Sequence, residues 1–245
     1  AARRMAEDMG MKIHSVLCGW ADFNQPAEVE KSIDVVETGL RAAQAYGAGV
    51  LLLVPCRVKG MAMPQPGEFN IQFDEKTGHV ERVVSGDNTQ FAEYIAAHNR
   101  ATDATRKAVR RLIPTAEKCG VVIALENVWN NLWVKPKLFA NLVRSFDSPW
   151  VQAYYDIGNH VKYAPPQEWI EALGSLIARV HIKDFRVGPG ERGGEFVEIR
   201  EGDVNWPATM QKLDEVGYHG WLTIEGGKLP AAEQGRRLDL IIARK

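Results

Sequence analysis

Three features of this 245-residue sequence predict an α/β fold on a parallel sheet. Six apolar runs of strand length recur along it, and stretches with helical periodicity separate them. Several of these runs are apolar without alternation, as strands are when buried on both faces. Gly and Pro punctuate the boundaries, where helices end and begin. Strict strand–helix alternation implies parallel strands joined by right-handed crossovers. A closed (β/α)8 barrel needs eight strands, and the chain opens with a helix rather than a strand. The expectation is therefore a single barrel domain over residues 1–245 whose first β–α–β portion is missing from this chain. An open six-stranded sheet is the alternative.

The elements follow in order. Ala1 to Met9 reads as the end of a helix, closed by Gly10. Lys12 to Leu17 is a strand leading to a loop with Trp20. Pro26 to Tyr46 is amphipathic, with Val29, Ile33, Val36, Leu40 and Ala43 at helical spacing. Val50 to Val54 is the next strand. In the polar segment from Val58 to Gly86, Phe69–Phe73 and His79–Val83 alternate around Asp74–Gly78, which predicts a small hairpin over one end of the sheet. Asp87 or Asn88 caps a long helix running to about Lys118, and Gly120 ends it. The Val121–Glu126 strand follows, then a helix over Pro136–Phe146 and a strand from Trp150 to Asp156. A helix over Pro166–Gly174 precedes the Leu176–His181 strand. Val187 to Gly202, rich in Gly and charge, reads as a loop. Pro207 in the first turn suits a helix to Glu215, and Trp221–Glu225 is the last strand. A helix from Leu229 to about Ala243 closes the chain.

Composition is that of an ordinary globular chain, 45% hydrophobic and 25% charged. A net charge of -1 provides no electrostatic case for nucleic acid or a membrane surface. Cys18, Cys56 and Cys119 are far apart and lack metal or redox spacing, so they read as free thiols of a reducing, cytoplasmic compartment. No apolar run approaches the roughly 20 residues of a membrane span. The charged, helical start is unlike a signal peptide.

The strand ends carry the chemistry. Val121-Val-Ile-Ala-Leu runs straight into Glu126, and a carboxylate inside such a strand would be costly. At the C-terminal tip it sits where α/β folds place their sites. The pattern recurs at Asp156, His181 and Glu225. Taken singly, each is a capping or salt-bridging surface group. Together, at matching strand ends that converge in space, they make a mixed oxygen and nitrogen site for Mn²⁺, Mg²⁺ or Co²⁺.

The blocks Ala124-Leu-Glu-Asn127, Tyr155-Asp-Ile-Gly-Asn159, Val180-His-Ile-Lys-Asp184, Gly202-Asp-Val-Asn-Trp206 and Gly220-Trp-Leu-Thr-Ile-Glu225 resemble the sugar phosphate isomerase/epimerase family, a group of xylose-isomerase-like TIM barrels. The resemblance covers nearly the whole chain. It implies four metal ligands, Glu126, Asp156, His181 and Glu225, with Mn²⁺ foremost and Mg²⁺, Co²⁺ or Zn²⁺ as alternatives. It also implies that Glu126 and Glu225 act as the acid/base pair. A divalent ion chelated by O2 and O3 of a ketose would stabilise an enediolate while a proton leaves C3 on one face and returns on the other. The implied activity is 3-epimerisation of a ketose or ketose phosphate; an isomerase would shuttle the proton between C1 and C2 on the same metal.

Candidate substrate contacts surround these residues. Asn159 stands where some ketose epimerases of the family carry a substrate-binding histidine. Leu132 stands where some carry a glutamate, which weakens the match to free-ketose epimerases, and Asp156-Ile-Gly-Asn159 looks more like the members acting on ketose phosphates. Arg186 is placed for a hydroxyl or phosphate, or is a solvated loop arginine. Either Lys183 or Asp184 faces the site, since successive strand residues point to opposite faces. Trp20, Trp129 and Trp133 stack on a sugar or simply pack loops. His14 and His98 read as structural.

The rivals are weighed on the same residues. The family's DNA-repair endonuclease needs histidines where this chain has Asn159 and Asn205. An inosose dehydratase uses the same barrel and metal. A retaining glycosidase also uses two strand-end glutamates, but without a metal. A metal-binding barrel without turnover is the non-enzyme reading. Exposed edges of an incomplete barrel would favour a homo-oligomer.

Overall fold

The structure, a computed structural model, describes residues 1–189 and 193–245. Gly190, Glu191 and Arg192, inside the segment expected to be a loop, lie outside the described residues.

Six strands form one parallel sheet in the order β1 (Val16–Trp20), β2 (Val50–Val54), β5 (Val122–Glu126), β6 (Val151–Asp156), β7 (Ile177–Ile182) and β10 (Leu222–Ile224). β1 and β10 stand at the two ends of this sheet. Helices α1 (Ala2–Asp8), α2 (Val29–Tyr46), α3 (Ala92–Cys119), α4 (Pro136–Arg144), α5 (Pro166–Leu173), α6 (Trp206–Glu215) and α7 (Ala231–Ile242) fill the connections.

The apolar runs are buried on both faces, as their lack of alternation requires. Leu51 and Leu53 point outward into the main core with Ile33, Val36 and Leu40 of α2. Val50, Leu52 and Val54 point inward and meet Ala124, Tyr154 and Ala178 in a smaller inner cluster. Gly47 and Gly120 adopt φ of 78° and 65° and end α2 and α3 in left-handed caps. Asn205 Oδ1 accepts from Ala208 N at 3.1 Å and starts α6. Among the described residues, no helix is long and apolar enough to cross a membrane.

Three local expectations need correction. The first strand is Val16–Trp20 rather than Lys12–Leu17, because its ladder with β2 starts at Val16 opposite Leu51. The residues before it pack by side chains instead: His14 stacks on Trp221 with centroids 4.8 Å apart, and its Nε2 lies 3.3 Å from Thr223 Oγ1. The small hairpin, β3 (Gln72–Phe73) and β4 (Val80–Arg82), forms as expected but rests on α3. There the Asn99 side chain bonds both Val80 N and Val80 O, at 2.7 and 3.0 Å.

The expected loop from Val187 to Gly202 instead supplies the second strand of an antiparallel ribbon, β8 (Asp184–Val187) with β9 (Gly194–Val197). Its glycines masked the strand signal, yet one of them is what lets the strands meet. A Cβ on Gly194 would collide with the Arg186 carbonyl and approach the Phe185 ring to 2.6 Å.

Candidate metal centre

Glu126 closes β5, Asp156 closes β6, His181 lies next to the end of β7, and Glu225 directly follows β10. Alternation along each strand sends these side chains to the inner face, where Ala124 and Tyr154 also point. Register keeps them level: Asp156 is opposite His181, and His181 is opposite Thr223. One ligand atom from each of the four residues lies within 4.8 Å of the others.

His181 Nδ1 is the hub. It lies 3.1 Å from Glu126 Oε1, 3.4 Å from Glu225 Oε2 and 3.7 Å from Asp156 Oδ2. Lys183 faces the same side, 3.0 Å from Glu225 Oε2 and 3.8 Å from Asp156 Oδ2. Asp156 is fully buried, whereas the Glu225 side chain is 40% exposed and forms the open side of the cluster.

Burial works against an imidazolium at His181, but the surrounding carboxylates of Asp156, Glu126 and Glu225 outweigh it and hold the group at about 12. Burial lifts Asp156 to about 7, and its contact with Glu225 and the charge of Glu126 add to the rise. Glu225 is driven well below the usual carboxylate range, chiefly by His181 at 3.4 Å. Lys183 is raised: burial opposes its charge, but Asp156 and Glu225 more than offset that.

A divalent cation fits these residues. Asp156 Oδ2 is buried without a hydrogen-bond partner, its nearest cationic neighbours His181 Nδ1 and Lys183 Nζ standing 3.7 and 3.8 Å away, and an ion bonded directly to it would offset the cost of that burial. Three carboxylates, a neutral imidazole, the Lys183 ammonium and one divalent ion sum to zero charge. Oxygen ligands with one imidazole nitrogen suit Mg²⁺, Mn²⁺ or Co²⁺.

Neighbours fix the ligands. Asn159 N donates to Asp156 Oδ1 at 2.7 Å. Asn127 bonds the Asp156 backbone twice, accepting from its N–H at 2.7 Å and donating to its carbonyl at 2.8 Å. The Tyr154 ring lies 4.3 Å from that of His181. Sequence reasoning assigned no role to Asn127 or Tyr154; their only signal is adjacency, one after Glu126 and the other two before Asp156.

The remaining candidates divide. Lys183 points inward, and its Nζ also donates to Asn159 Oδ1 at 3.3 Å. Asp184 points the other way and is buried in backbone donors. Trp129 donates to the Asn159 carbonyl, and its ring lies 4.7 Å from Phe196 and under Lys162 Nζ at 3.4 Å. It thus joins the β8–β9 ribbon to the Asp156–Asn159 turn. Arg186 is exposed on the ribbon, bonded to Glu195 at 3.3 Å and to the Glu201 carbonyl at 2.8 Å rather than to the cluster. Trp20 is half-exposed, with the Arg57 guanidinium 4.0 Å from its ring. Trp133 and His98 are buried together, and Trp133 N donates to His98 Nε2 at 3.1 Å.

The model of the xylose isomerase-like TIM barrel family matches residues 1–240. An L-ribulose-5-phosphate 3-epimerase of Escherichia coli is 27% identical over 180 residues, covering 71% of this chain and 61% of that protein. The chain spans about half the length of the curated relatives it matches, 44% of one and 61% of this one. Among solved structures, a D-tagatose 3-epimerase-like protein superposes with a TM-score of 0.73 at 17% identity, over 99% of this chain and 80% of that one. A xylose isomerase-like TIM barrel protein from Mycobacterium smegmatis in complex with magnesium has a TM-score of 0.64 at 17% identity, over 99% and 77%.

Proposed function

The chain belongs to the xylose isomerase-like TIM barrel family, and on that footing we propose that it is a divalent-metal-dependent 3-epimerase of a ketose or ketose phosphate. The observation that carries the reading is the placement of the two glutamates. In the sheet order β5-β6-β7-β10, Glu126 and Glu225 stand on either side of Asp156 and His181. Inversion at a carbon beside a carbonyl needs one group to take a proton and another, across the substrate, to return one. Both glutamates are within reach of one central position, and they reach it from different sides.

Glu126, Asp156, His181 and Glu225 would hold the ion, Mn²⁺ in the first instance. When bound, it supplies charge stabilisation at the substrate's carbonyl oxygen. Glu225, ionised and on the open side, takes the C3 proton; Glu126, buried against His181 and holding a proton taken from solvent, gives one to the other face, and exchange with solvent then resets both carboxyls. Lys183 keeps Glu225 ionised and, with Asn159, presents hydrogen bonds to substrate hydroxyls. Trp129 walls that side, and Arg186 and Trp20 serve a more distant part of the substrate. The names of the Escherichia coli relative and of the tagatose epimerase-like structure support inversion at C3.

The test is deuterium exchange from D₂O into a panel of ketoses and ketose phosphates, with Mn²⁺ and with chelator. Metal-dependent exchange at C3, with formation of the epimer, is expected. Exchange at C1 or C2 with aldose formation would replace the epimerase by an isomerase, and loss of water from an inosose by a dehydratase. Absence of exchange with every substrate in the metal-loaded protein would overturn the reading.

A further inference from the structure

We propose that the cleft between the β3–β4 turn, the middle of α3 and the end of α4 binds a small phosphate-type anion, at a site separate from the strand-end cluster. This cleft has a volume of about 760 Å³ and shares no residue with that cluster. Lys76, Arg106, Lys107, Arg110 and Arg144 line it against two acids, Glu75 and Asp103. Some cations elsewhere are paired, as in Arg111 with Glu30, Arg41 with Glu37 and Arg237 with Glu201; what sets the cleft apart is five cations converging on one concave site. Among the described residues, no ion pair within 4.0 Å involves any of the five cations of the cleft. Asp103 makes its side-chain contact with His79 Nε2, at 2.9 Å, rather than with one of these cations.

Arg106 makes the cleft more than a basic patch. It is 8% exposed, and its guanidinium bonds neutral oxygens: Ser145 Oγ at 2.9 Å, Asn141 Oδ1 at 3.3 Å and the Thr77 carbonyl. These bonds use three of its five N–H groups. They satisfy donors with neutral oxygens and leave the charge without a direct ion pair, Asp103 acting on it only from beyond 4.0 Å, so a bound anion would offset the cost of its burial. Burial and the neighbouring Arg110 accordingly lower its pKa.

The turn is shaped around this guanidinium. Gly78 has φ of +67°, and a Cβ there would come within 2.7 Å of Arg106 Nη2. Asn141 Nδ2 holds the same turn through the Glu75 carbonyl at 2.7 Å. Planar guanidinium forks match tetrahedral oxyanions, and a phosphate has oxygens enough for several of them at once. Glu75 and Asp103 bound the cleft, so a compact ion suits it better than a polyanionic chain.

Inorganic phosphate titrated calorimetrically into the intact, metal-loaded chain tests the site. Arg106→Gln is a poor probe, because this side chain holds the turn. Arg110 also holds the end of α4 through the Ser145 carbonyl at 3.0 Å, whereas Lys76 and Lys107 are exposed, and the Lys76→Gln/Lys107→Gln double variant is expected to keep the wild-type melting temperature. Saturable binding to the wild type is expected to weaken about tenfold or more in the double variant. Phosphate is also expected to raise the melting temperature of the wild type and not that of the variant. Equal affinity in the two proteins would place the anion elsewhere and overturn the proposal, as would no saturable binding to the wild type.

Discussion

Lys183 Nζ lies 3.0 Å from Glu225 Oε2, which places an ammonium beside the carboxylate on the open side of the strand-end cluster. Lys183→Met removes one positive charge from a group of three carboxylates. Two effects of opposite sign are expected. Divalent metal binds more tightly, on the order of tenfold, because a competing cation has gone. Turnover falls by about a hundredfold, because Glu225 and the substrate lose their donor. Metal titration and steady-state kinetics on one preparation check both. Weaker metal binding in the variant would show that Lys183 supports the ligands rather than competing with the ion.

Glu126 and Glu225 are expected to be separable by isotope. With one base gone, the other still removes and returns a proton on its own face. Glu225→Gln and Glu126→Gln should each lose epimer formation by about a thousandfold or more. Each should still wash deuterium into one of the two epimeric substrates, and the substrate labelled should differ between them. NMR of both epimers in D₂O reads this directly. Identical labelling patterns in the two variants would rule out a two-base inversion.

The parallel sheet and its strand-end cluster were legible because both rest on local pattern. Val50–Val54 and Val151–Asp156 are uninterrupted apolar runs, and a strand buried on two faces leaves that trace. The convergence of Glu126, Asp156, His181 and Glu225 then follows from sheet geometry. Lys12–Ser15 misled because packing beside a strand can alternate as a strand does; His14 finds Trp221 without any ladder. The β8–β9 ribbon stayed hidden because Gly194, the residue that lets Phe185 and Arg186 close against it, reads locally as loop. Lys183 and Asp184 could not be told apart in sequence, since the choice depends on which face of β7 carries through. The Arg106 cleft left no trace either: residues 76, 106 and 144 meet only through tertiary structure.

Metal binding is expected to release protons and strengthen as pH rises. In the cation-free cluster His181 is held at about 12, so it carries a proton throughout the neutral range. An imidazole must lose that proton to become a ligand. Asp156, lifted to about 7 by burial, adds a second proton below that pH. Apparent affinity should therefore climb about tenfold per pH unit above neutrality and more steeply below it. Calorimetry in two buffers of different ionisation enthalpy counts the protons. An affinity flat from pH 6 to 8 would be incompatible with His181 as a ligand.

Asp184 is expected to be the costliest carboxylate to remove for stability, although it faces away from the cluster. Its Oδ1 accepts from Phe185 N at 2.9 Å and Val204 N at 3.3 Å. Its Oδ2 accepts from Arg200 N at 2.8 Å, Gly202 N at 3.1 Å and Trp206 Nε1 at 3.1 Å. The carboxylate is fully buried, so Asp184→Ala strands five donors where water does not reach them. A loss of about 3–5 kcal/mol follows, with a matching fall in denaturant midpoint. Asp184→Asn should recover little of it, because one amide edge presents N–H to N–H. The same donors fix the segment behind the β8–β9 ribbon, whose Phe196 ring lies 4.3 Å from Lys183 Nζ. Asp184→Ala should therefore also loosen Lys183 and lower turnover, whereas Arg111→Ala, which breaks the exposed Glu30 pair, should change neither stability nor turnover appreciably. Equal stability of the two variants would mean that solvent, not Asp184, satisfies the ribbon's donors.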